Sequence, residues 1–257
     1  MKKTLIALAV AASAAVSGSA MAWTANGTGG SVELSGTLTP VEKVTPWEVK
    51  VGDAVTGLDA QIQKGQKVVD VAVNKAIPVL GIRTIASTAF QGQSGISPQI
   101  SYGNAVNVDA FENGRAPVTL EVKDDTNTKI GTLTTSLGAS ALMSTKGPNW
   151  NGYNHFYAEK SGDVFFGGLP KNEAATPDSN IAVTVMPEVA DHYTDQGVEY
   201  KPVGFSPILS DTEYTFSGYY GAGIEQGKII KITLDQAASG DAPIKWNAAL
   251  PVTVTYM

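Results

Sequence analysis

Short runs with period-two alternation, split by turn residues, constrain this chain more than any other feature. In "SVELSGTLT", Val32, Leu34, Gly36 and Leu38 alternate with Ser31, Glu33, Ser35, Thr37 and Thr39. Residues two apart share a face only in an extended strand. The texture returns in "WEVKVG" (47–52), "KVVDVAVN" (67–74), "IPVLGIRT" (77–84), "PQISYG" (98–103), "PVTLEVKD" (117–124) and "TKIGTLTTSLG" (128–138). It appears again in "DTEYTFSGYYGAGI" (211–224), "GKIIKITLD" (227–235) and "LPVTVTYM" (250–257). "DDTN" (124–127) predicts a hairpin turn, because Asp and Asn tolerate turn geometry and bond their own backbone. Strands at this spacing, without regular helical crossovers, predict an all-β antiparallel sandwich. Two short helices are expected within it. In "AVTGLDAQIQKG" (54–65), Val55, Leu58 and Ile62 share a face and Gly65 ends the helix; "PEVADHYTDQG" (187–197) starts at Pro187 and ends at Gly197.

The first residues predict a cleaved secretory signal over 1–22. Lys2 and Lys3 precede the apolar "LIALAVAASAAV", and "AMA" supplies a small-residue cleavage site before Trp23. Losing both lysines takes the formal charge from −6 to −8. An acidic chain without a basic run argues against nucleic acid and anionic membrane as partners. Cysteine is absent. An exported fold without disulfides must rest on core burial and strand pairing, and thiol catalysis and Cys-ligated metals are excluded.

Alternation fades over residues 140–207, which read as an irregular insertion, the kind of segment that tends to carry function. Sugars are held by stacking on Trp or Tyr with amide groups on the hydroxyls, and Trp150, Asn151, Tyr153, Asn154 and Tyr157 offer those groups in one stretch. The competing reading has Trp150, Phe156 and Phe165 as the insertion's own small core. Other chemistry is sparse. His155 and His192 lack a nucleophile elbow nearby and read as surface or turn residues. "GYYGAGIEQGK" fails both phosphate-loop templates, with Ile229 where a P-loop needs Ser or Thr, and reads as a glycine-rich turn. Asp124, Asp125 and Asn127 lack calcium-loop spacing. No catalytic residue, metal site or cofactor is expected.

The two ends remain. In the last strand Leu250, Val252, Val254 and Tyr256 share a face, which predicts good burial. The first strand follows "TANGTGG", a tether expected to be flexible, and has two possible destinations: its own sheet or another molecule. Leader, tether, "LSGTL" (apolar-x-Gly-x-apolar), all-β body and aromatic-plus-one terminus together resemble chaperone–usher pilins. More narrowly, "GSVELSGTLTP", "PWEVKVG", "IPVLGIRT", "GISPQI", "YGAGIEQGKIIKITL" and "IKWNAALPVTVTY", in this order, resemble the major subunits of the K88/CS31A/F41 group of enterobacterial fimbriae. That group also lacks the disulfide common in other pilins. The chain departs from the wider pilin pattern where a glycine often precedes the last strand and Ile244 stands near that place.

The resemblance implies an incomplete immunoglobulin-like sandwich, completed by donor-strand exchange and carrying an irregular inserted subdomain. Residues 23–40 would form the donor extension, and 41–257 the pilin domain with its insertion at about 140–207. Val32, Leu34 and Leu38 would enter the groove of the next subunit, Gly36 would pass where its wall comes close, and Leu250, Val252, Val254 and Tyr256 would line it. The implied partners are identical subunits head-to-tail, a periplasmic chaperone, an outer-membrane usher and host-surface glycans. The implied location is a fimbria on the bacterial surface. The alternative is a purely structural or minor subunit without lectin activity.

Overall fold

The computed structural model describes Ala25, Asn26, Val32, residues 34–39 and residues 44–257. The leader expected over 1–22, and Trp23, lie outside the described residues. The chain divides into two units, Met1–Lys43 and Val44–Met257. In the first, residues 34–39 adopt no regular secondary structure, and Val32, Leu34 and Leu38 are 76%, 92% and 97% exposed.

The second unit is a β-sandwich. Its strands are β1 (Trp47–Val51), β2 (Val68–Ala72), β3 (Ile77–Thr84), β4 (Phe90–Gln91), β5 (Pro98–Ser101), β6 (Arg115–Lys123), β7 (Lys129–Lys146), β8 (Asn151–Tyr157), β9 (Gly204–Phe205), β10 (Thr215–Ile224), β11 (Ile229–Leu234) and β12 (Thr253–Tyr256). The large sheet runs β1-β3-β10-β7-β11-β2. β7, 18 residues long, joins its parts: its first half lies between β6 and β11, its second between β8 and β10. β12 and β5 form a small antiparallel sheet, and its inner side packs on the main core around Leu80, Ile82, Leu137, Phe156 and Tyr220. A second cluster (Val71, Val122, Leu133, Ile230, Ile232) fills the β2–β11 end.

The strands expected from alternation between Trp47 and Met257 are found, whereas the one expected at Ser31–Thr39 is absent over its described residues 34–39, and two further expectations need correction. Residues 139–146 and 151–157 are not irregular: they form the second half of β7 and all of β8, joined by a bend at 147–150. Alternation is lost there because the sheet is covered on both sides. On the outer side α1 (Ile181–Val185) and the 3-10 turn Pro187–Ala190 pack on Leu142 and Tyr219. Neither expected helix forms as read. Residues 52–62 have no helix, and Gly57 has φ +76°, a left-handed conformation that ends a right-handed helix. The second helix is reduced to the 3-10 turn, while α1 forms upstream, capped by the Asn180 side chain on Val183 N. The "DDTN" turn is present: Asp124 Oδ1 accepts from the backbone N–H groups of Thr126 and Thr128, both at 2.9 Å.

Small residues on β10 make the shelf for α1. A Cβ on Gly221 would stand 2.8 Å from the Cα of Ala182, so the helix sits directly on the sheet backbone. Gly221→Ala must lift α1, and overpacking of this kind costs roughly 1–3 kcal/mol. Chemical denaturation of the variant should show that loss.

Candidate functional site

An apolar groove of about 1510 Å³ opens in the body. Its floor carries Val71, Val118, Leu120, Leu133, Ile230 and Ile232, and its walls are the irregular segments 52–62 and 238–250. Along one wall, burial alternates from Trp246 to Tyr256, with even-numbered residues half-buried and odd-numbered ones exposed. Strand pairing covers Thr253–Tyr256, and upstream Asn247 makes an isolated antiparallel bridge with Lys123 of β6, both main-chain bonds at 2.9 Å. The terminal strand is therefore half-buried rather than well buried, because it is an edge.

Backbone geometry fixes which way that edge points. Met257 and Ser97 exchange both N–H···O bonds at 3.0 Å, so the odd-numbered residues of β12 pair with β5. Alternation then turns the N–H and C=O groups of Val252 and Val254 toward the other edge, while their side chains face the core. β1 is arranged in the same way. Ile85 N bonds Pro46 O at 2.9 Å and Gly52 N bonds Val79 O at 3.0 Å, so even-numbered residues pair with β3. Val49 and Val51 point their backbone groups outward, and although they lie beside the fully buried Ile82 and Leu80 they are 42% and 56% exposed. Two edge strands on the two sheets thus present half-covered core-facing side chains and open backbone groups. Such edges template the pairing of a further strand.

The sugar-binding candidates do not form one surface. Trp150 and Asn151 are exposed at the start of β8, the indole 40% so. Tyr153 points to the opposite face from Trp150 and packs in an aromatic row with Tyr200 (ring centroids 5.4 Å) and Tyr193 (6.5 Å). Asn154 is buried and donates to Pro202 O at 3.3 Å, and Tyr157 is buried against the Phe205 ring at 5.0 Å. Phe156 and Phe165 belong to the main core of the sandwich. Two aromatics that sequence reasoning does not single out are exposed nearby, Tyr200 and the 74% exposed Phe205. Tyr200 donates to the Asp178 carboxylate, and desolvation, then that bond, pushes its pKa up to about 12. No local sequence signal separates these two from the many aromatics that are core.

Both histidines spend a ring nitrogen on backbone. His192 Nδ1 lies 2.8 Å from Thr84 O, and His155 Nδ1 2.8 Å from Ala141 O. Among the described residues no group of acidic or histidine side chains is placed to hold a metal ion. Burial, only partly offset by the Ala141 carbonyl and Asp178, holds the His155 pKa below the usual imidazole value. Its neutral form therefore stabilises the fold above about pH 6.5, and that contribution is lost as pH falls from there through the lower folded value. His155→Gln should flatten the fall in melting temperature between about pH 7 and pH 5 relative to the parent.

A disulfide-free sandwich with two open inner edges and an apolar groove between its walls is the body of a subunit built for assembly with other chains. The comparisons agree. Residues 1–257 match the family Fimbrial_K88, described as "Fimbrial, major and minor subunit". The chain is 30% identical over 291 residues to K88 fimbrial protein AD of Escherichia coli, with all of both chains covered. It is equally identical over 287 residues to the F41 fimbrial protein of Escherichia coli, again over the full length of both. To the K88 minor fimbrial subunit FaeI of Escherichia coli it is 26% identical, with 92% of each chain covered. The chain belongs to the K88 fimbrial subunit family; it is a structural subunit of a surface appendage, assembled from subunit–subunit contacts.

Proposed function

We propose that the chain polymerises by donor-strand exchange and that the resulting fibre binds host-cell glycans. The observation that carries the first part is the pair of open edges, β1 and β12, beside the apolar groove. When a strand adds to an open sheet edge, main-chain bonds give affinity, and alternate side chains entering pockets give specificity. The "VELSGTL" segment has the matching pattern, and Val32, Leu34 and Leu38 are exposed in the chain itself. Four alternate positions, Val32 to Leu38, would face four on the wall, Leu250 to Tyr256; each span of six residue steps is about 20 Å of strand. Gly36 brings no side chain to its position, which suits a close approach of the backbone.

Direction follows from where the body begins. Thr45 bonds the Tyr256 side chain, so the body begins at the Tyr256 end of β12. A donor coming in at that same end would crowd both segments onto one pole. A donor coming in at the Val51–Leu250 end leaves the other pole free to donate, and head-to-tail contacts that do not close make a fibre. Donor and β12 then run antiparallel, with Leu38 near Leu250 and Val32 toward Tyr256. Before assembly the groove needs another occupant, a strand from a periplasmic chaperone, with export through an outer-membrane usher after removal of the leader.

For binding, Trp150 and Asn151 are the members of the five-residue candidate set that combine exposure with stacking and hydrogen-bonding groups. The purely structural reading has its own support: Asn154 and Tyr157 are buried, and identity extends to a minor subunit.

Three versions of the chain test polymerisation: one starting at Trp23, one lacking residues 23–40, and one with that segment moved by a linker to the C-terminus. The moved-segment version alone should be a soluble monomer with a sharp, high thermal transition; equal behaviour of the first version sinks the donor reading. Gly36→Trp in the first version should abolish fibres visible by electron microscopy. Glycan-array binding by the moved-segment version, reduced at least tenfold by Trp150→Ala, is the expected lectin result; no binding to any glycan leaves the structural reading.

A further inference from the structure

The end at which the body begins is apolar on its outer surface. Phe205, which closes β9, and Ile208 just beyond it are 74% and 72% exposed. Short links place them at the Tyr256 end. Val164 N donates to Ser206 Oγ at 2.7 Å, the neighbouring Phe165 N donates to Pro98 O at 2.8 Å, and Pro98 lies opposite Tyr256 in the small sheet. Gln93 N donates to Leu209 O at 2.6 Å, and a few residues further on Ser97 pairs with Met257. Val44 and Ile85 are exposed at the same end, the Ile85 N–H bonding Pro46 O beside Thr45. The segment is firmly seated: Leu209 is buried in the main core, and the Phe205 ring lies 5.0 Å from that of Tyr157. A lone exposed apolar side chain is ordinary, but several at one end mark a contact surface.

Chain length identifies what covers it. Thr45, bonded to Tyr256, stands seven residues beyond Leu38. Fully extended, that stretch reaches at most about 25 Å. With Leu38 near Leu250 of the next copy, the mouth of the next groove cannot lie further than that from this end. We propose that Phe205 and Ile208, with Val44 and Ile85 at the margin, form a second contact between consecutive copies, docking this end of one body on the rim of the next copy's groove. This rests on the donor-strand reading and goes beyond it. The patch is far smaller than the roughly 800 Å² per partner of a free-standing complex. Tethered through the donor segment it acts as an intramolecular contact, at an effective concentration of the order of millimolar. Donation supplies the affinity, and this contact fixes the rotation of one body on the next.

Hydroxyl-radical footprinting tests this on two forms: the moved-segment monomer and fibres of the chain starting at Trp23. Both have filled grooves, so a difference reports contacts between bodies. Phe205 and Ile208 should be oxidised at least about fivefold more slowly in the fibre, as expected of side chains from which a contact excludes water. Equal oxidation in the two forms overturns the contact and leaves the donor reading standing. Replacing both residues (Phe205→Ser, Ile208→Ser) should leave the thermal transition of the moved-segment monomer unchanged and still allow fibres. Those fibres should bend more easily, with the persistence length seen by electron microscopy at least about halved, because bodies without a fixed interface move freely. An unchanged persistence length also overturns the contact. If the chain starting at Trp23 stays monomeric, the donor reading falls and the contact with it.

Discussion

β7 is the member on which the rest of the body depends. One strand pairs with β6 and β11 through its first half and with β8 and β10 through its second, so two sheet regions that would otherwise be separate share a backbone. The main core and the β2–β11 cluster are therefore held in fixed register without a cross-link, which a chain lacking cysteine requires. Arg115, at the start of β6, adds a two-pronged tie to Glu225 in the β10–β11 turn, at 2.7 and 2.8 Å. That pair clamps the point where β7 passes from one set of neighbours to the other, since Arg115 lies opposite Gly138.

Most of the sandwich is legible in the sequence because most strands have one wet face. β11 shows this well: Ile230, Ile232 and Leu234 are buried while Ile229, Lys231 and Thr233 are exposed, and the alternation survives in the letters. It fails where both faces are covered. "ASALMST" in the second half of β7 is buried throughout, with the main core on one side and α1 on the other, so no polar residue marks a solvent face. In the letters that strand stops at Gly138 for this reason. β8 is hidden for the same one, and the stretch reads as an insertion where the sheet in fact continues.

The candidate sugar site is harder to read than the groove, and the cause is again periodicity. Taking Trp150 to Tyr157 as one surface treats neighbours in sequence as neighbours in space. In a strand they alternate, so Tyr153 and Asn154 face opposite ways, and the partners of Tyr153 are Tyr193 and Tyr200 from a distant stretch. The groove wall is readable because its alternation is unbroken from Trp246 to Tyr256. The half-burial of that face is not, since an edge strand and an internal strand share one pattern; only the neighbours decide.

The donor-strand reading gives that half-burial an energetic meaning. Val32, Leu34 and Leu38, fully buried, would each contribute about 1.5–3 kcal/mol. Together that is of the order of the whole stability of an ordinary domain, about 5–15 kcal/mol. Main-chain pairing adds to it by removing two open edges. On this account the stability of a subunit and the stability of the fibre are not separate quantities: the free body is an unfinished fold, and joining the next copy is its last folding step. A chain without disulfides then needs no other device to make assembly favourable, and the absence of cysteine and the openness of the groove become two sides of one arrangement.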